Sequence, residues 1–155
     1  MYACDKHWWD YHYDKVLKQF KGELWTQHKA WGDAYLPKIN VVESSDKPGL
    51  STQDGIIHQG KNSGYQAINL AYMFGADRII LLGYDMTGNG SHWFGKHEGP
   101  GLSQSTNYES LISEFNTIDP PKYGIEIINC TRMTALNCFP KMSLESALSS
   151  ALAPA

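Results

Sequence analysis

Chemistry in this chain gathers at a few polar clusters. Gly60-Lys61-Asn62-Ser63-Gly64-Tyr65-Gln66 sets glycines, a lysine and a hydroxyl just ahead of an apolar run. Free N–H groups and a positive charge where a helix begins could hold a phosphate or a carboxylate. Asn62 or Ser63 acting only as an N-cap accounts for the same pattern, and the segment is neither a Walker loop nor a GxGxxG fingerprint. Gly83-Tyr84-Asp85-Met86 comes next: Gly83 lets a ligand approach the backbone, and Asp85 could hold a ribose hydroxyl, a metal or an amine, or merely cap a loop. Ser91-His92-Trp93-Phe94-Gly95-Lys96-His97 carries two imidazoles and two large aromatics, which suits general-base work and stacking on a base or sugar. With His58 or Asp85 the two histidines could also ligate a metal, although no HExxH or CxxC pairing supports it. Asn129-Cys130-Thr131 could read a base edge or a ribose, or simply begin a turn.

These clusters need a scaffold, and the apolar periodicity supplies one. Residues 63–74 place Ala67, Leu70, Ala71 and Phe74 on one stripe with Ile68 and Tyr72 beside it, and Gly75 is a helix stop. The run from Arg78 to Asp85 lacks alternation and predicts a strand covered on both faces, as in a parallel sheet. Asn107 is placed to cap a helix through Tyr108, Leu111, Ile112 and Phe115, which Asp119-Pro120-Pro121 ends. Ile125 to Thr131 predicts another strand, and Ser146 to Ala155 a final helix that frays. Earlier, Met1–Cys4, Glu23–Thr26 and Ile39–Glu43 predict short strands, with an aromatic-rich helix at Lys6–Phe20 whose Trp8-Trp9 and Tyr11-His12-Tyr13 are expected to pack on the sheet rather than form a stacking platform. Ser44–Asn62 reads as one long loop. The expected architecture is an α/β, Rossmann-like, mostly parallel sheet with helices on both faces, a single domain over 1–150 with a frayed tail at 151–155.

Composition narrows the function classes. With 42% hydrophobic residues the chain has the apolar mass for a core. A net charge of −3 and no basic block argue against a phosphate-neutralising nucleic-acid face. No apolar run nears the roughly 20 residues that cross a bilayer, and the start Met1-Tyr2-Ala3-Cys4-Asp5-Lys6 lacks signal-peptide character, so a cytoplasmic protein with no membrane partner is expected. Cys4, Cys130 and Cys138 are an odd number at irregular spacing, hence ordinary thiols. Cys4 with His7 lacks a second ligand pair, and neither Cys130 nor Cys138 has a base partner for nucleophilic catalysis.

Residues 62–71, Asn-Ser-Gly-Tyr-Gln-Ala-Ile-Asn-Leu-Ala, and 75–86, Gly-Ala-Asp-Arg-Ile-Ile-Leu-Leu-Gly-Tyr-Asp-Met, resemble a set of phage-borne proteins of uncharacterised function. Those look like relatives of bacterial sialyltransferases that use CMP-sialic acid, and of the motility-accessory and 6-hydroxymethylpterin diphosphokinase-like family. The likeness is best over residues 56–142. It implies that Ser63 and Gly64 contact the nucleotide and that Gly83 and Asp85 end a strand beside the sugar nucleotide. Residues 91–97 are similar to the family's Ser-His-Tyr-Ile-Gly-His stretch with one residue inserted, which makes His97 the implied general base and leaves His92 as the other candidate. The families open with a strand ending in a Gly-Pro-Ser-Leu type loop that grips the nucleotide phosphate. Met1–Asp5 looks like the strand after it. A shortened version is therefore expected, with a weakened phosphate site, an exposed edge strand or a partner chain in the gap.

The sequence thus leads to a domain that binds a nucleotide or nucleotide-sugar, a CMP-sugar-like substrate rather than a tightly bound cofactor. The expected catalytic residues are His97, His92 and Asp85. The expected nucleotide-binding residues are Lys61, Asn62, Ser63, Gly64, Gly83, Tyr84, Asp85, Asn129 and Thr131, with no metal site. If active, the protein would resemble an inverting glycosyltransferase, His97 or His92 deprotonating the acceptor while Lys61 and the N–H groups around Ser63-Gly64 stabilise the departing phosphate. The alternative is a non-catalytic phage module that binds a small nucleotide, an anion or a host protein, in the host cytoplasm. Pyrophosphoryl transfer to a pterin ranks third, since it needs Mg²⁺ on several carboxylates and only Asp85 is well placed. Self-association into a homo-oligomer is compatible with any of these.

Overall fold

Asp5 turns an extended start into a helix: its Oδ1 accepts from the N–H groups of His7 and Trp8 at 2.8 and 3.3 Å, opening α1 at Lys6–Gln19. The computed structural model describes residues 1–27, 38–88, 95, 97, 99, 101–102 and 106–151. After α1 come β1 (Trp25–Gln27), β2 (Asn40–Ser45) and β3 (Ile56–His58), then α2 (Ser63–Met73), β4 (Arg78–Leu81), α3 (Tyr108–Phe115), a 3-10 turn at Pro120–Tyr123, β5 (Glu126–Asn129) and α4 (Leu144–Ala151).

The fold is mixed α/β with small parallel sheets. One has the order β1-β2-β3 and the other pairs β4 with β5, in registers Trp25↔Asn40, Glu43↔Ile56 and Ile79↔Ile127. The expected single sheet is thus two sheets among the described residues. Met1–Cys4 contributes only the parallel bridge Tyr2↔Trp25 rather than a full strand. The expected loop Ser44–Asn62 contains β3, because Ile57 is fully buried. The strand predicted over Arg78–Asp85 ends at Leu81, where Leu82 is 57% exposed and Gly83 takes φ +76°. Among the described residues no strand pairs with β4 on its side away from β5.

Successive side chains of β4 and β5 lie on opposite faces of their sheet, and apolar residues occupy both faces. Ile79, Leu81 and Ile127 meet Tyr65, Ile68 and Phe115 of α2 and α3, while Ile80 and Ile128 meet Leu144 and Ala147 of α4. That sheet is covered by helices on both faces, as an apolar strand without alternation requires. A separate cluster of Trp9, Leu24 and Ile39 holds α1 against the first sheet. α2 ties the two regions together: Tyr2 Oη donates to Gln66 Oε1 at 2.6 Å, and Tyr84 Oη donates to the Gly64 carbonyl at 3.0 Å. The helix also buries Asn69, whose Oδ1 accepts from the N–H groups of Ser51 and His58. One polar side chain thereby satisfies two backbone donors of the 46–58 segment.

Candidate functional site

Ser63 and His97 of the predicted site residues line one cavity, and Gly83, Asp85, Asn129 and Thr131 line another. The first, about 490 Å³, lies where the starts of α1 and α2 converge, with Tyr2, Cys4, Asp5, Trp8, Ser63 and His97 among its walls. The second, about 790 Å³, lies beyond the carboxyl ends of β4 and β5, with Gly83, Asp85, Asn129, Thr131, Arg132 and Lys141 in its lining.

In the first cavity, Asn62 is the α2 N-cap, its Oδ1 accepting from Tyr65 N–H at 2.8 Å. The backbone N–H groups of Ser63 and Gly64 have no acceptor among the described residues, as expected of a first helical turn. Gly64 is fixed by close packing: a Cβ there would sit 3.0 Å from Tyr84 Cε1 and 3.1 Å from Asn62 Oδ1. Ser63 Oγ accepts from Cys4 N–H at 3.2 Å and donates to Cys4 Sγ at 3.0 Å, so the hydroxyl clamps α2 to the chain start. Burial pushes the Cys4 thiol above its ordinary value, with the Ser63 hydrogen bond acting in the opposite direction. Burial raises the Tyr2 phenol as well. His97 lies in the same lining as Ser63. His92, with Ser91, Trp93, Phe94 and Lys96, is outside the described residues.

Lys61 points elsewhere. Its Nζ lies 2.5 Å from Glu114 Oε1, and the hydrogen bond and charge of that carboxylate raise the ammonium above its usual value. In the second cavity most of the predicted polar side chains are already engaged. Asn129 is fully buried, Nδ2 donating to Thr134 Oγ1 and the Leu136 carbonyl and Oδ1 accepting from Thr131 N–H. Thr131 Oγ1 accepts from Tyr84 N–H at 2.9 Å, and Lys141 Nζ donates to the Thr134 carbonyl at 3.3 Å. Asn129 and Thr131 therefore build the turn after β5. Asp85 is exposed, with its carbonyl accepting from Ala135 N–H. Among the described residues no group of three or more His, Cys, Asp or Glu could hold a metal ion.

Sequence reasoning treated Trp8 and Trp9 alike, as packing residues. Trp9 fits that expectation: it is fully buried and donates through Nε1 to the Ala3 carbonyl at 2.9 Å. Trp8 packs against the same cluster and also lines the first cavity. Its place in the first turn after the N-cap Asp5, one helical step from Trp9, was the available signal, since successive helical residues point about 100° apart. Comparison of the chain with protein-family profiles, curated proteins and solved structures gives no match. No helix among the described residues is long and apolar enough to cross a membrane.

Proposed function

We propose that this chain binds a nucleotide or nucleotide-sugar in the cavity between the starts of α1 and α2, in a Rossmann-like setting. The observation that carries the reading is that Ser63, at an α2 terminus with two unpaired backbone N–H groups, shares one cavity with His97. Those N–H groups suit a phosphate, and an imidazole in the same space suits proton abstraction from an acceptor hydroxyl. The parallel strands joined through α2 support the Rossmann-like part. The resemblance of residues 62–71 and 75–86 to CMP-sialic-acid-dependent enzymes supports glycosyl transfer as the chemistry, while Asp85 lines the other cavity. On this reading Lys61 serves Glu114 rather than the phosphate.

The test is calorimetric titration with CMP, CDP, UDP and GDP, with and without Mg²⁺. Wild type should bind at least one of them. Ser63→Asp should abolish that binding by placing a carboxylate at the phosphate position, while leaving α2 folded, since an acidic residue is favoured in a first helical turn. Replacing His92 and His97 together should remove turnover and leave nucleotide affinity within about twofold, because general-base loss acts on the transition state. Absence of nucleotide binding by the wild-type chain would reject the reading.

A second reading, a module that contacts another protein, is favoured by one feature: β4, which pairs only with β5 among the described residues, is followed by the exposed Leu82. Wild type that binds no nucleotide yet pairs with a host polypeptide through β4 would decide for it.

A further inference from the structure

We propose that Trp8 is the specificity-determining residue of this cavity, stacking on a planar heterocyclic ring and so selecting nucleotides over sugar phosphates. The proposal rests on the nucleotide-binding reading above and names what that site recognises.

Trp8 is partly buried in the cavity lining, and its indole N–H has no acceptor among the described residues. Its neighbour Trp9 is spent on the core, fully buried and hydrogen-bonded to Ala3. Aromatic contacts already hold the Trp8 ring: Trp9 meets it edge-on at 5.1 Å and 87°, and His12 lies against it at 4.8 Å with a 37° tilt. Asp5 pins the backbone beneath it by accepting from Trp8 N–H at 3.3 Å. A ring fixed in advance loses little side-chain freedom when a ligand stacks on it. Ser63, which opens α2 and whose backbone N–H has no acceptor among the described residues, lines the same cavity and offers the anion position, so one ligand with an anionic end and a flat ring matches both features. Stacking accepts every base, because each has a π-face. The site should therefore discriminate weakly between pyrimidine and purine and strongly against ligands without a ring.

The experiment compares CMP, GMP, ribose 5-phosphate and inorganic phosphate on wild type, Trp8→Phe and Trp8→Leu, by calorimetry. Leucine keeps apolar bulk without an aromatic face, and a thermal melt of each variant verifies folding. Wild type should bind CMP and GMP at least about fivefold tighter than ribose 5-phosphate. Trp8→Phe should keep most of that margin, and Trp8→Leu should reduce both nucleotides to the ribose 5-phosphate level without changing affinity for ribose 5-phosphate itself. Trp8→Leu binding CMP as wild type does, or weakening CMP and ribose 5-phosphate equally, would overturn the Trp8 assignment and leave nucleotide binding standing. Wild type that binds none of the four would overturn both.

Discussion

Tyr84 shows how one side chain can serve the fold and the site together. Its hydroxyl donates to the Gly64 carbonyl and its ring lies close to residue 64, where a Cβ would sit 3.0 Å from Tyr84 Cε1, so the segment after β4 is held to the helix start that borders the cavity. Burial pushes its phenol up to about 12 from an ordinary 10. The folded state therefore keeps its proton where the unfolded chain gives it up. Stability from this group is complete below pH 10 and is lost as the pH rises toward 12. Urea unfolding of wild type and Tyr84→Phe at pH 9 and pH 11.5 should accordingly show a stability gap that narrows at the higher pH. A gap of constant size would mean that the phenol is not protected.

Among the elements, α2 does the most. It begins after a turn in which Gly60 and Lys61 both take positive φ, +47° and +60°. At Gly60 a Cβ would fall 2.0 Å from the Tyr65 ring, so the turn admits no side chain there. Asn62 closes the turn from both directions, accepting from Tyr65 N–H and donating to the Gly60 carbonyl, each at 2.8 Å. Asn62→Ala should cost about 1 kcal/mol by loss of the cap, and Asn62→Asp, which keeps the acceptor beside the helix N-terminus, should cost less. Urea unfolding ranks the two, and equal losses would put the weight on the Gly60 bond instead. Phe74, assigned to the buried stripe from its spacing, is 56% exposed and meets Trp25 edge-on. Gln66 and Asn69 are buried in its stead, because the strand ends and the 46–58 segment present backbone groups that an apolar face would leave unsatisfied.

Across the whole molecule, α1 belongs to the Trp9 cluster and α2 to the Tyr65 cluster, and the cavity lies where the two helix starts meet. A ligand there bridges two packing units. Saturating CMP should raise the thermal midpoint of wild type, by the equivalent of about 2.7 kcal/mol at a hundred times Kd, and leave that of Ser63→Asp unchanged. Differential scanning fluorimetry checks this, and an equal rise in both proteins would place binding away from α2.

The sequence by itself determined the local elements: an N-cap at Asn62 or Ser63, the Asn107 cap, α1, α2 and α3, the apolar strands around Ile79 and Ile127, and an α/β class with parallel strands. Caps, breakers and apolar periodicity act over a few residues, so they are legible in one dimension. Tertiary structure alone decided that Lys61 turns to Glu114, that Asn129 faces inward, that Ser63 and His97 line one cavity, and that Trp8 borders it while Trp9 is fully buried. Each of those outcomes depends on which distant segment arrives to satisfy a charge, a buried donor or an apolar surface. That is fixed by packing over the whole chain rather than by neighbours in sequence.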